Sequence, residues 1–232
     1  MSHRRILFTM ALMSLLLLGL TGLASAGIEW SIKPITEFTM PADNMLTQGE
    51  VLGALPPGWR PTYNWETFSI DSTNYLTGTG SVLFELQEQA RGRVYVDVGV
   101  DSSRTYKVGW ITKIENLTPR EDGGAIVWGV FFKDGTGAWI NCTEALNTLP
   151  SDYAKGMEAS GIVIRTPRTF EDGKPLSGTT GWFVVEITMD LPKLAQDFKA
   201  AGGKITGMRF EQLFDSGTGK VWLDGMYLIP VQ

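Results

Sequence analysis

Apolar and polar residues alternate along short runs of this chain, and clusters of Gly, Asp, Asn and Pro interrupt the runs. Alternation with period two marks half-buried strands, because successive side chains of a strand point to opposite faces of a sheet. The pattern predicts strands over 29–39, 63–70, 81–88, 93–100, 105–115, 125–133, 181–190, 205–214 and 220–229. Gly78-Thr79-Gly80, Asp101-Ser102-Ser103, Gly123-Gly124 and Gly217-Thr218-Gly219 are the breakers between them. The same alternation turns Phe68, Ile70, Val94, Val96, Val98, Val100, Tyr106, Val108, Trp110, Phe183, Val185, Ile187 and Met189 toward a core. Leu191 to Ala201 reads as one short helix, with Pro192 near its start and Gly202-Gly203 as its stop, crossing over between strands. Residues 141–180 mix polarity and contain several prolines, so they read as a long loop or inserted excursion. Short strands without alternating helices give an all-β sandwich of two antiparallel sheets with one short crossover helix.

The first residues depart from this pattern. Arg4 and Arg5 precede an apolar run from Ile6 to Leu20, and Ala24-Ser25-Ala26 offers a small-residue cleavage site. Residues 1–26 therefore read as a secretory signal peptide, with a mature domain over 27–232 that is secreted or held at the cell surface. The run is short for a spanning helix and no second long apolar segment follows, so no membrane span is expected after cleavage. Cleaving 26 of 232 residues leaves 206, a length suited to one domain. Loss of Arg4 and Arg5 moves the net charge from −5 to −7, which argues against nucleic acid and anionic membranes as partners.

The single cysteine, Cys142, cannot form an internal disulfide, and beside Trp139 and Ile140 it reads as a small buried hydrophobe. His3 is the only histidine and leaves with the signal. The mature chain then lacks the imidazole that a catalytic triad, a cysteine protease dyad or a typical zinc site requires.

Several fragments resemble, in order and spacing, the jelly-roll carbohydrate-binding modules of the galactose-binding-domain-like superfamily, found attached to cellulases and xylanases. Asn44 followed by Pro57-Gly58-Trp59 is similar to the family's opening, and Gly80-Ser81-Val82-Leu83 to its entry into an early strand. Tyr106-Lys107-Val108-Gly109-Trp110, Gly181-Trp182 and Gly219-Lys220-Val221-Trp222-Leu223-Asp224 resemble three later strands. Gly225 stands where a second Asp is common, and Thr47-Gln48 replace a Phe-Glu pair. The resemblance implies a jelly roll that binds carbohydrate. It also implies that any bound calcium ion is structural, with Asp224 as a ligand and Asp43 and Asn44 as its partners.

If the strands over 63–70, 93–100, 181–190 and 220–229 share one sheet, its outer side carries Tyr63, Trp65, Tyr95, Trp182 and Trp222, together with Arg93, Asp97 and Glu186. Aromatic rings with a few polar groups suit sugars, whose C–H faces are apolar and whose hydroxyls need donors and acceptors. Three readings stay open for this face: a carbohydrate cleft, a second core covered by the 191–201 helix or the 141–180 excursion, and a surface for a protein assembly partner. Glu85, Gln87, Lys107, Arg209 and Glu211 read as the solvated face of the other sheet. A glycoside hydrolase or lyase would need two facing carboxylates, about 5–5.5 Å apart for a retaining glycosidase. Asp97 with Glu186, or Glu85 with Glu211, are the candidate pairs, and no motif selects either, so no catalytic residue is assigned.

Overall fold

The computed structural model describes residues 28–63, 68–86, 91–119, 126–140, 161–165, 178–215 and 217–231. Its strands are β1 (Ile28–Pro34), β2 (Arg60–Tyr63), β3 (Phe68–Asp71), β4 (Ser81–Leu86), β5 (Arg91–Gly99), β6 (Thr105–Pro119), β7 (Ile126–Asp134), β8 (Gly161–Arg165), β9 (Phe183–Asp190), β10 (Ile205–Asp215) and β11 (Gly217–Val231). They form a six-stranded sheet in the order β1-β9-β6-β11-β4-β3 and a five-stranded sheet in the order β2-β5-β10-β7-β8. All pairings are antiparallel. This is the expected jelly-roll β-sandwich.

The inner faces carry the residues that alternation selects. Val94, Val96, Tyr106, Val108, Trp110, Phe183, Val185, Ile187 and Met189 are buried, and Phe68, Ile70, Val98 and Val100 pack against them. Trp110 meets Phe210 edge-on across the sandwich at 6.2 Å, and Trp128 meets Phe183 at 6.1 Å. Buried polar side chains meet in this apolar layer: Gln212 Oε1 accepts hydrogen bonds from Thr112 Oγ1 and Trp128 Nε1, each at 3.0 Å, while Gln212 Nε2 is buried without a partner. Those bonds offset the desolvation that a buried amide oxygen would otherwise cost.

Helix α1 (Leu191–Asp197) carries the chain from β9 in one sheet to β10 in the other. Asp190 caps it by accepting the Lys193 N–H at 3.0 Å, and Pro192 occupies the first turn, where its missing N–H costs nothing. Leu194, Ala195 and Phe198 turn into the core, and the helix packs on β6, β9 and β10. It therefore closes an edge of the core rather than lying over the aromatic residues as a cover.

Two expectations change. The single strand expected over 63–70 is two, β2 and β3, which belong to different sheets. The 141–180 excursion contributes a strand, β8, whose Gly161–Arg165 backbone extends the five-stranded sheet beyond β7.

Candidate functional site

Because β2 and β5 lie in the five-stranded sheet while β9 and β11 lie in the six-stranded one, the aromatic set does not share a sheet. Tyr63 pairs through its backbone with Gly92 at the β2 edge, Tyr95 lies on β5, Trp182 immediately precedes β9, and Trp222 lies on β11. Trp65 falls outside the described residues. Arg93 and Asp97 accompany Tyr95, whereas Glu186 goes with Trp182 and Trp222.

On the outer side of the six-stranded sheet, Trp222 and Glu186 are held by internal contacts, while Trp182 is half-buried. Trp222 is 3% exposed and donates its Nε1–H to Asp71 Oδ2 at 2.8 Å. Partial burial opposes ionisation of Asp71, but hydrogen bonds from Thr73, Trp222 and Asn74 outweigh it and hold the carboxyl far below the usual range. Lys113 Nζ lies 4.9 Å from the Trp222 ring and 5.9 Å from that of Trp182, and donates to Asn74 Oδ1 at 3.0 Å. Glu186 accepts the Tyr227 hydroxyl proton and pairs with Lys107 at 3.7 Å. Burial, reinforced by the Glu186 bond and charge, holds the Tyr227 hydroxyl protonated far above its ordinary range.

Tyr227 reaches Glu186 by crossing Gly109, its cross-strand partner on β6. A Cβ at Gly109 would stand 2.2 Å from the Tyr227 ring, so only glycine leaves the path clear. Phe38 stacks on the far side of that ring at 5.6 Å. The covered-core reading thus describes Trp222 and Tyr227, but the cover is the 38–51 segment and the 71–77 loop.

That segment is pinned along β11 where β4 ends. Met45 N donates to Leu228 O at 2.8 Å and Met226 N to Gly49 O at 2.9 Å. Asn44 Oδ1 accepts from Leu46 N at 3.2 Å and Leu228 N at 2.9 Å, while Asn44 Nδ2 donates to Met226 O. Asn44 therefore acts as a backbone clamp whose oxygen is already used twice, and Asp43 is exposed. Neither arrangement is that of a shared calcium ligand with Asp224.

Asp224 is fully buried, and its Oδ2 accepts from Leu76 N, Thr77 N and Thr77 Oγ1 at 3.1, 2.7 and 3.0 Å. Its Oδ1 is buried with no hydrogen-bond partner. Burial, opposed by the Thr77 and Leu76 bonds and reinforced by the Glu50 charge, pushes this carboxyl up to about 6. Gly225, in place of a second Asp, has a steric reason: a Cβ there would meet Met40 Cε at 2.9 Å and Gly49 O at 3.0 Å. The neighbouring carboxylate comes instead from Glu50, whose backbone bridges to Gly225. No cluster of three or more metal-binding side chains occurs among the described residues.

The outer side of the five-stranded sheet is built differently. Asp97 on β5 faces Arg209 on β10, and Tyr95 faces Glu211. Arg209 grips Asp97 through Nε at 2.8 Å and Nη2 at 2.9 Å, a bidentate pair. Burial works against the ionised Asp97, but Arg209, backed by the charges of Lys133 and Arg60, holds its carboxyl below the usual range. Arg93 Nη1 donates to Glu211 Oε2 at 3.0 Å and Arg93 Nε to Thr62 Oγ1 at 2.9 Å. The Tyr95 ring lies 4.0 Å from the Arg209 guanidinium carbon and 5.0 Å from that of Arg93, within cation–π range. Arg209 and Glu211, expected on the solvated face of the opposite sheet, thus belong beside Tyr95, and Glu211 is 2% exposed rather than solvated.

Next to this cluster is a pocket of about 250 Å³ lined by Asp97, Val98, Gly99, Lys133, Thr206, Gly207 and Met208. Gly99 and Gly207 pair across β5 and β10. A Cβ at Gly99 would meet nothing within 4 Å, and one at Gly207 would meet Val98 O at 3.5 Å, so the floor is open because both side chains are missing. Trp139 is 41% exposed, with Lys133 Nζ 4.7 Å and the Arg209 guanidinium carbon 4.9 Å from its ring. Sequence reasoning did not select Trp139 or Lys133. The signal was the turn Asp134-Gly135-Thr136-Gly137, in which Asp134 Oδ1 accepts from Thr136 N at 2.8 Å and Ala138 N at 3.2 Å, folding Trp139 back beside Lys133.

No protein-family model matches the chain, and no curated protein matches it. Among solved structures it is similar to TmCBM61 in complex with β-1,4-galactotriose, with 14% identity and a TM-score of 0.44 over 75% of this chain and 90% of that one. It is also similar to the CBM22-1 xylan-binding domain from Paenibacillus barcinonensis Xyn10C, with 9% identity and a TM-score of 0.45 over 82% and 96% of the two chains. A third likeness is to the enzymatically active domain of bacteriophage CBA120 tailspike protein 4, with 11% identity and a TM-score of 0.49 over 82% of this chain and 22% of that one.

Proposed function

We propose that this chain is an exported, non-catalytic carbohydrate-binding β-sandwich whose ligand docks on the outer face of the five-stranded sheet. The observation that carries the reading is the Gly99–Gly207 floor, open beside Asp97 and Lys133, with the exposed Trp139 ring against Lys133 and Arg209. An aromatic surface beside fixed donors and acceptors meets both requirements of a sugar, an apolar C–H face and hydroxyls that both give and take hydrogen bonds. Binding without a reaction is supported by the carboxylates. Asp97 and Glu186 lie on different sheets, as do Glu85 and Glu211, so neither pair flanks one glycosidic bond.

A glycan array probed with the mature chain tests the reading. Stacking on Trp139 hides roughly 50 Å² of apolar surface, about 1 kcal/mol at about 25 cal/mol per Å², so Trp139→Ala should weaken binding about fivefold to tenfold. The melting temperature should stay unchanged. Failure to bind any glycan on the array removes the proposal.

Calcium belongs to the same proposal as a structural element. The orphaned Oδ1 of Asp224 and the adjacent Glu50 charge suit a divalent cation, which needs oxygen ligands from separate segments. Asp224 and Glu50 would hold it, cross-linking β11 to the 44–51 segment.

A further inference from the structure

The outer face of the five-stranded sheet runs against the charge of the chain. The protein carries a net charge of −5, yet Arg60, Arg93, Lys133 and Arg209 stand on this face against Asp97 and Glu211. Two of the cations are matched, Arg209 to Asp97 and Arg93 to Glu211. Lys133 and Arg60 have no carboxylate within ion-pair distance among the described residues, and both act on Asp97 only through their field. Among the described residues, these four cations thus stand against two carboxylates, and Lys133 forms a wall of the pocket. Arg209 spends Nε and Nη2 on Asp97, leaving Nη1 of its fork to donate elsewhere.

Resting on the carbohydrate reading above, we propose that the ligand is an acidic polysaccharide, with the carboxylate of one uronic acid residue seated beside Lys133 over the Gly99–Gly207 floor. A volume of about 250 Å³ falls below the roughly 300–1,000 Å³ of sites for drug-sized ligands and suits a single sugar unit. Thr206 Oγ1 already donates to Asp134 O at 2.6 Å, so it is left as an acceptor for a sugar hydroxyl. Asp97 in the pocket wall does not repel the acid decisively, because its charge is shared with the Arg209 fork. The acidic balance of the whole chain argues against wrapping a long polyanion and leaves room for a short acidic stretch recognised at one face.

The test uses the mature chain with polygalacturonate and its fully methyl-esterified form, which differ in charge while sharing one backbone. Isothermal titration should give at least about tenfold tighter binding to the acid at about 20 mM NaCl, with most of that preference lost by about 300 mM as the charges are screened. Lys133→Gln should reduce the preference for the acid about fivefold without moving the melting temperature, weakening binding of the acid more than that of the ester. Equal, salt-insensitive binding of the two polymers overturns the acidic ligand and leaves carbohydrate binding intact. Preference for the acid that survives Lys133→Gln overturns the site. If neither polymer nor any arrayed glycan binds, the carbohydrate reading falls together with this one.

Discussion

Raising the pH from 4 to 7 should weaken the metal-free protein by about 3 kcal/mol through one side chain, Asp224. Its carboxyl stands at about 6 in the folded protein against an ordinary 3.8, because it is buried and three hydrogen bonds to Oδ2 only partly compensate. Below about pH 4 both folded and unfolded chains are protonated there, and the group contributes nothing to pH dependence. Between about 4 and 6 the folded state keeps a proton that the unfolded state has lost, so each pH unit costs about 1.4 kcal/mol. Above 6 both states are ionised and the loss stays constant. Asp71, Asp97, Asp101 and Asp134 are held low and act in the opposite sense, losing stability only as the pH falls through their depressed values.

Urea unfolding at pH 4.5 and 7 in a chelator reads about 2 kcal/mol of this difference, the part that falls between 4.5 and 6. Asp224→Asn should flatten the profile and raise stability at pH 7, because a neutral amide still accepts from Thr77 and can turn its NH₂ toward Glu50. Millimolar calcium should restore stability at pH 7 in the parent and leave the Asn variant unchanged. A parent that becomes more stable from pH 4.5 to 7 in chelator refutes the account of Asp224. An unchanged melt with and without calcium removes the ion and leaves the pH argument standing.

Gly109→Val should cost about 3 kcal/mol or more, since its side chain takes the space of the Tyr227 ring and breaks the bond to Glu186. Combining it with Tyr227→Ala should cost much less than the sum of the two, which a double-mutant cycle by urea unfolding reads. Trp222→Phe should cost about 1.5–3 kcal/mol through loss of the charged hydrogen bond to Asp71, and Trp222→Ala about 3–5, both measured by thermal melts. Intact mass of the exported protein should correspond to a chain starting at Gly27. A mass that includes residues 1–26 would make the segment an anchor.

Strands were legible wherever one side of a sheet meets the core, because period-two alternation records which residues point inward. It does not record which sheet a strand joins. Val94 and Val96 point inward on β5 just as Val185 and Ile187 do on β9, yet the two strands lie on opposite layers. Tyr95 and Trp222 were correctly read as outward and wrongly read as neighbours for that reason. β8 was hidden by the prolines and polar residues around it, although Ile162-Val163-Ile164 after Gly161 is a short apolar run of the kind that paired strands use. The helix start was legible from Pro192, whereas its end came early: the helix closes at Asp197 with Phe198 as its cap, and Gly202-Gly203 belong to a separate short turn at Ala201–Gly203.

Outward is also not the same as exposed, and the glycines show where the difference lies. Gly109 and Gly99 both occupy strands and both lack a side chain on an outer face, so sequence gives them equal weight. At Gly109 the vacated space is filled by Tyr227, whose hydroxyl is spent on Glu186 and whose ring is covered by Phe38. At Gly99 it is filled by nothing, and the groups around it, Lys133 and Arg209, retain donors beyond their internal bonds. A mid-strand glycine that admits a neighbour's ring is a packing device. One that opens a floor beside charged and aromatic side chains leaves space for something from outside the chain. Adding a methyl group separates the two: Gly109→Ala should be felt in the melt, whereas Gly99→Ala should fold normally and be felt in binding.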